Sequence, residues 1–99
     1  MEMKLVDRGN EGELFLSGHI DSKNAKDVQN AFLQVADRFK NITLNLIDLK
    51  YISSAGLRAV KNLYIKVRAN DGELLITNPA PFVLEVLEMT GFSEMLNIQ

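Results

Sequence analysis

Two adjacent serines, Ser53 and Ser54, carry the most distinctive chemistry in this 99-residue chain. They fall in Asp48-Leu49-Lys50-Tyr51-Ile52-Ser53-Ser54-Ala55-Gly56-Leu57-Arg58, which follows the most apolar strand-like stretch and opens a helical pattern. Hydroxyls at a helix start have two uses. A serine oxygen can accept from an unpaired backbone N–H of the first turn, a cap worth about 1 kcal/mol, and spacing alone favours that role for Ser54. Alternatively, the free N–H groups and partial positive charge of the helix end suit an anion. Gly56 adds a constraint, because glycine in a first turn costs up to about 1 kcal/mol against alanine and a close backbone approach would account for it. Partners and ligands of open α/β sheets gather at the carboxyl ends of the strands, where this run falls.

The rest of the chain offers little other chemistry. His19 is the one histidine, at the end of an Ile/Leu-rich strand pattern. With no Cys or His at metal-ligand spacing it reads as a structural or surface residue. The absence of cysteine rules out disulfides and thiolate sites and fits a reducing, cytoplasmic setting. There is no Gly-x-Ser-x-Gly elbow, no Gly-x-x-x-x-Gly-Lys phosphate loop and no Gly-x-Gly-x-x-Gly loop. Ser54 as a catalytic nucleophile would lack a histidine base nearby in sequence. The expectation is therefore no catalytic residue, no metal and no cofactor. A net charge of −2 makes nucleic-acid binding a poor reading. No stretch approaches 18 apolar residues, and Met1 to Asp7 does not read as a signal peptide, so no membrane insertion is expected.

The elements that must position the serines follow from hydrophobic period. An apolar fraction of 46% with 24% charged residues suits one globular domain over residues 1–99. Lys4 to Asp7 and Glu13 to Ile20 read as two strands joined by the turn cluster Arg8 to Gly12, a hairpin. Ala25, Val28, Phe32, Val35, Ala36 and Phe39 recur at three- and four-residue steps, an amphipathic helix with Asp21 or Ser22 as its cap. Asn41 to Ile47 is a buried strand, and Asp48 to Ser54 leads into a second helix from about Ala55 to Arg68. That helix buries Leu57, Val60, Tyr64 and Val67 and leaves Arg58, Lys61, Lys66 and Arg68 in solvent. Glu73 to Thr77 is a short strand. Pro79 or Pro81 then opens a third helix through Phe82, Val83, Val86 and Leu87 to Met89, stopped by Gly91. The order predicts an α/β fold, a small mixed sheet of four to five strands with helices mainly on one face.

The run Ile42 to Leu57 resembles the signature of STAS domains of the anti-sigma factor antagonist type, a strand followed by an Asp-Ser-Ser-Gly-Leu-like turn. Three further stretches match in order: Ser17-Gly18-His19-Ile20-Asp21 is similar to the family's Gly-x-Leu/Val-Asp motif, Asp71 to Ile76 to its Gly-Gly-x-Leu strand start, and Val83 to Phe92 to its last helix and Thr/Ser-Gly stop. The resemblance covers essentially the whole chain. It implies a small sheet with helices mostly on one side, in agreement with the period-based reading.

The function the resemblance implies is partner switching. The unphosphorylated protein would bind an anti-sigma factor, a serine kinase of the histidine-kinase-like ATPase type, and free a sigma factor. The kinase would then phosphorylate a serine in the turn, and a PP2C-type phosphatase would reset it. Carried over by position, the acceptor is Ser54, with Ser53 as second choice, and Asp21 matches the family aspartate beside the serine. Asp21, Ser53, Ser54, Ala55, Gly56 and Arg58 are the expected partner-binding residues. Ser53 stands where the family usually has aspartate, and Ala55 where it has a second serine. The alternative within the fold is a STAS subunit of a stress-signalling or membrane lipid- or anion-transport complex.

Overall fold

A computed structural model describes all residues, Met1–Gln99. The chain runs β1 (Glu2–Asp7), β2 (Glu11–Ile20), α1 (Ala25–Arg38), β3 (Asn41–Ile52), α2 (Ser54–Ala69), β4 (Leu74–Thr77), α3 (Pro81–Met89), α4 (Phe92–Met95) and β5 (Asn97–Ile98). The five strands form one sheet in sequence order, β1 antiparallel to β2 and every later neighbour parallel. Each parallel connection advances the chain by one position in the same direction. Right-handed crossovers then place the helices on a common face. Alternate burial agrees with this: Leu14 and Leu16 of β2, Ile42, Leu44 and Leu46 of β3, and Leu74 and Ile76 of β4 are buried. Between them Phe15, Ser17, Asn45, Leu75 and Thr77 keep partial exposure on the opposite face. The fold is the mixed α/β architecture read from the sequence.

The strands are longer than their patterns suggest. The first hairpin closes on Arg8-Gly9-Asn10 alone, held by the Arg8 N–H on the Glu11 carbonyl at 2.9 Å and the Gly9 N–H on Asp7 Oδ1 at 2.8 Å. Gly12 therefore pairs with Asp7 and belongs to β2. The larger difference is in β3, which continues from Ile47 through Asp48–Ile52 beside Ser17–Ile20. Its register against β2 shifts between Phe15 and Ser17 and again between Gly18 and His19. Each irregularity adds a residue, so Leu46, Leu49 and Ile52 are buried at a spacing of three. That spacing hides a strand from a search for period two.

The helices carry smaller corrections. Tyr64 is only partly buried, and Leu63 takes the core position beside Val60 and Val67. Lys66 is half-exposed and spans to Asp37 of α1 at 2.6 Å. The third helix starts at Pro81, not Pro79. Its ends Phe82 and Met89 point into solvent at 50% and 78% exposure, while Val83 and Leu87 are buried. Gly91 adopts the left-handed conformation expected of a helix stop, with φ 79°. The tail docks as α4 and β5, the latter pairing with Leu75 and Ile76. One apolar core of 24 side chains joins the sheet to α1, α2 and α3.

Candidate functional site

The two serines have different jobs. Ser53 is the extended residue between β3 and α2 (φ −85°, ψ 172°), and its Oγ accepts from the Gly56 N–H at 3.1 Å. The Leu57 N–H meets the Ser53 carbonyl at 2.9 Å, the first helical bond. Ser53 is thus the N-cap. Ser54, read from spacing as the cap, is instead the first helical residue; its side chain is exposed and enters no hydrogen bond. The shift follows from the extra length of β3, which carries the extended backbone through Ile52. Ser53→Ala should remove the cap at a cost of about 1 kcal/mol. For a domain of this size that lowers the unfolding midpoint by roughly 4–8 °C, read by circular dichroism.

Gly56 fixes where that helix end sits. A Cβ on it would lie 2.7 Å from Ile20 Cγ2 and 2.8 Å from Ile52 Cγ1, below any normal contact. The first turn of α2 therefore rests directly on the buried ends of β2 and β3. Gly56 is itself buried, so of the expected partner-binding residues it shapes the surface from beneath, while Ser54 and Arg58 are exposed and Ser53, Ala55 and Asp21 half-exposed.

Asp21 is brought to the same place by the last rung between the strands, the Ser53 N–H on the Ile20 carbonyl at 2.8 Å. Asp21 and Ser54 each follow a member of that pair. Asp21 Oδ1 accepts from the N–H groups of Asn24 at 3.0 Å and Lys23 at 2.9 Å, and Asn24 Oδ1 accepts in return from the Asp21 N–H at 3.0 Å. This is a reciprocal capping box one turn ahead of α1. The formal cap, Asn24, makes no capping bond of its own and donates Nδ2 to the His19 carbonyl at 2.9 Å. The Asn24 and Lys23 N–H groups hold the Asp21 carboxyl below its ordinary pKa. With its folded value lowered, its stabilising contribution is complete above the unfolded carboxylate range and is lost as pH falls through the lowered value. At neutral pH Asp21 is a fixed negative charge beside Ser54.

An exposed aromatic group, absent from the sequence-derived site, borders it. Tyr51, two residues before Ser53, is 41% exposed and stacks on Phe82 with ring centroids 6.1 Å apart and planes 22° off parallel. His19 packs against the other side of Tyr51 at 6.1 Å. The available signal was Phe82, directly after the helix-opening Pro81 and outside the Val83–Leu87 core stripe. The site as a whole is a helix end with exposed Ser54 and Arg58 and with exposed aromatics on its flank. It suits a protein surface better than a buried small substrate.

Comparison with known proteins agrees. The profile of the STAS domain matches residues 3–99. The chain belongs to the STAS domain family. BtrV of Bordetella bronchiseptica, which carries the name of an anti-sigma factor antagonist, is 37% identical over 78 residues, 78% of this chain and 67% of that protein. The unphosphorylated form of the anti-sigma factor antagonist SpoIIAA superposes with a TM-score of 0.85 at 18% identity, over 99% of this STAS domain and 88% of that chain. The phosphorylated form of the same Bacillus cell-fate determinant gives 0.77 at 17% identity, over 99% and 91%. At such identities the two structures speak for the fold. No helix of this STAS domain is long and apolar enough to cross a membrane.

Proposed function

We propose that this STAS domain is an anti-sigma factor antagonist, a binding protein of the cytoplasm that captures an anti-sigma factor and is released by phosphorylation of Ser54. The observation that carries the reading is Ser54 itself, an exposed hydroxyl without a structural duty at the head of α2, next to a serine that already caps the helix. SpoIIAA, of the same fold, exists in phosphorylated and unphosphorylated forms, and BtrV bears the antagonist name, which supports the assignment. The partner would be a serine kinase of the histidine-kinase-like type, opposed by a PP2C-type phosphatase. Asp21, Ser53, Ala55, Gly56 and Arg58 would shape or line the contact, and Tyr51 and Phe82 would add apolar area to it.

The chemistry is simple for this chain. Ser54 Oγ forms a bond to the γ-phosphorus of the kinase's ATP as the bond to ADP breaks, and the hydroxyl proton passes to a base on the kinase. The product places roughly −1.5 to −2 charges at a helix N-terminus, where the dipole favours them. The domain keeps its fold while a neutral hydroxyl at the helix head becomes a doubly charged anion.

The test is to incubate the domain with ATP and, one by one, the serine-kinase anti-sigma factors of its source organism. Mass spectrometry should find one phosphate, on Ser54, removed by a PP2C-type phosphatase and absent from Ser54→Ala. A phosphate on Ser53, or none with any kinase, would refute the assignment.

A further inference from the structure

We propose that the outer face of α2 is a docking surface for an acidic, apolar-centred segment of the anti-sigma factor, a proposal that rests on reading this domain as an antagonist. Ser54, Arg58, Lys61, Ile65 and Arg68 succeed one another at steps of four, three, four and three. On a helix this spacing makes one stripe, about 21 Å long at 1.5 Å per residue. All five side chains are exposed. The serine proposed as the switch is thus the first position of a stripe that runs the length of the helix.

The charge on this stripe is one-sided. Helix α2 holds four of the chain's eleven lysines and arginines and none of its thirteen aspartates and glutamates, in a protein of net charge −2. An ordinary solvated face mixes signs, as α1 does with Lys26, Asp27, Asp37 and Arg38. Lys66 alone on α2 has an ion-pair partner, Asp37 of α1; Arg58, Lys61 and Arg68 have none. Lys66 and Arg68 complement the negative end of the helix dipole, but Arg58 and Lys61 lie in the N-terminal half and gain nothing from it. The mutual repulsion of unpaired cations is relieved by an acidic partner.

Ile65 supplies the apolar centre. It is 52% exposed and lies between Lys61 and Arg68. A large exposed aliphatic flanked along the stripe by two cations matches the anatomy of a contact patch, an apolar centre beside a charged rim. The stripe also gives phosphorylation a direct effect. A phosphate on Ser54 would stand one turn from Arg58, within the i to i+4 pairing distance of a helix, and would compete with partner carboxylates for it.

The test measures binding to each serine-kinase anti-sigma factor of the source organism by surface plasmon resonance, with salt varied across the range where the screening length shrinks from about 10 Å to about 3 Å. Lys61→Glu with Arg68→Glu should slow association about tenfold or more and flatten its salt dependence. Ile65→Ser should speed dissociation about tenfold. Ser54 should still be phosphorylated in both variants, though more slowly because the docking partner is itself the kinase. Both should stay folded, the double reversal unfolding a few degrees earlier because Arg68→Glu opposes the helix dipole. A double reversal that associates at the wild-type rate with wild-type salt dependence overturns the docking surface and leaves the proposed function standing. A wild-type domain that binds none of these factors overturns both. A wild-type dimer in sedimentation, broken by the same reversal, assigns the stripe to a second copy of the chain and overturns the proposal.

Discussion

Ser54→Asp should weaken binding to the anti-sigma factor by about 100-fold while leaving the domain as stable as wild type, or slightly more so. The two effects come from opposite sides of one residue. Toward the partner, the side chain of Ser54 is exposed and unbonded, so a carboxylate there meets whatever the partner closes over the serine. Leaving a charge buried and unpaired in an interface costs about 2–5 kcal/mol, and each 1.4 kcal/mol is tenfold. Toward the domain, position 54 is the first residue of a helix with no acidic side chain in its first turn. An acid there gains about 0.3–1 kcal/mol from the dipole, and the charge of Asp21 beside it removes part of the gain. The unfolding midpoint should therefore stay level or rise by about 1–4 °C. Titration calorimetry and thermal circular dichroism read the two quantities separately. Ser54→Ala should bind as wild type does and stay bound when ATP is added. Wild-type affinity in the aspartate variant would remove Ser54 from the contact, whatever its phosphorylation.

How much of this was legible in the sequence depends on which bonds carry the information. The helices were read nearly to their ends, because Ala25, Val28, Phe32 and Val35 repeat at the period the structure buries. The strand leading to the site was not. Its last five residues bury Leu49 and Ile52 at a spacing set by two register shifts against β2, and a shift is a property of two strands together. The mistake over the cap has the same origin, since the end of β3 determines which serine is extended and which is helical.

Gly56 was anticipated as a close approach, but the partners in that approach, Ile20 and Ile52, come from two strands that only the fold brings together. The stacked Tyr51 and Phe82 were invisible for a plainer reason. They are 31 residues apart, and Phe82 stands in an apolar run where a core role is the natural reading. Local signals showed where the site begins; non-local packing determined its shape.

Gly72→Ala should be the most damaging single methyl added to this chain, lowering the unfolding midpoint by roughly 12–24 °C. Gly72 ends the turn after α2, its N–H on the Val67 carbonyl at 2.9 Å. A Cβ there would lie 1.7 Å from the Lys40 carbonyl oxygen and 2.8 Å from its carbon. Flexible side chains can move aside from such a clash, but this obstacle is backbone. It is pinned on both sides of the gap, by the Glu73 N–H on Asn41 Oδ1 at 3.0 Å and the Ile42 N–H on the Glu73 carbonyl at 3.0 Å. Relief requires parting the starts of β3 and β4. Overpacking against mobile groups costs about 1–3 kcal/mol, so a backbone clash belongs at or above about 3 kcal/mol, a large share of the roughly 5–15 kcal/mol that holds a domain together. Gly91→Ala separates sterics from conformation. Gly91 has φ 79° and nothing within 4 Å of a Cβ, so that variant bears only the left-handed penalty of about 1–2 kcal/mol. If Gly72→Ala unfolds no earlier than Gly91→Ala, the fit of Gly72 against Lys40 is not what holds the two strands in register. If it unfolds far earlier, one hydrogen in place of a methyl sets how closely β4 can approach the strand that ends at the serines.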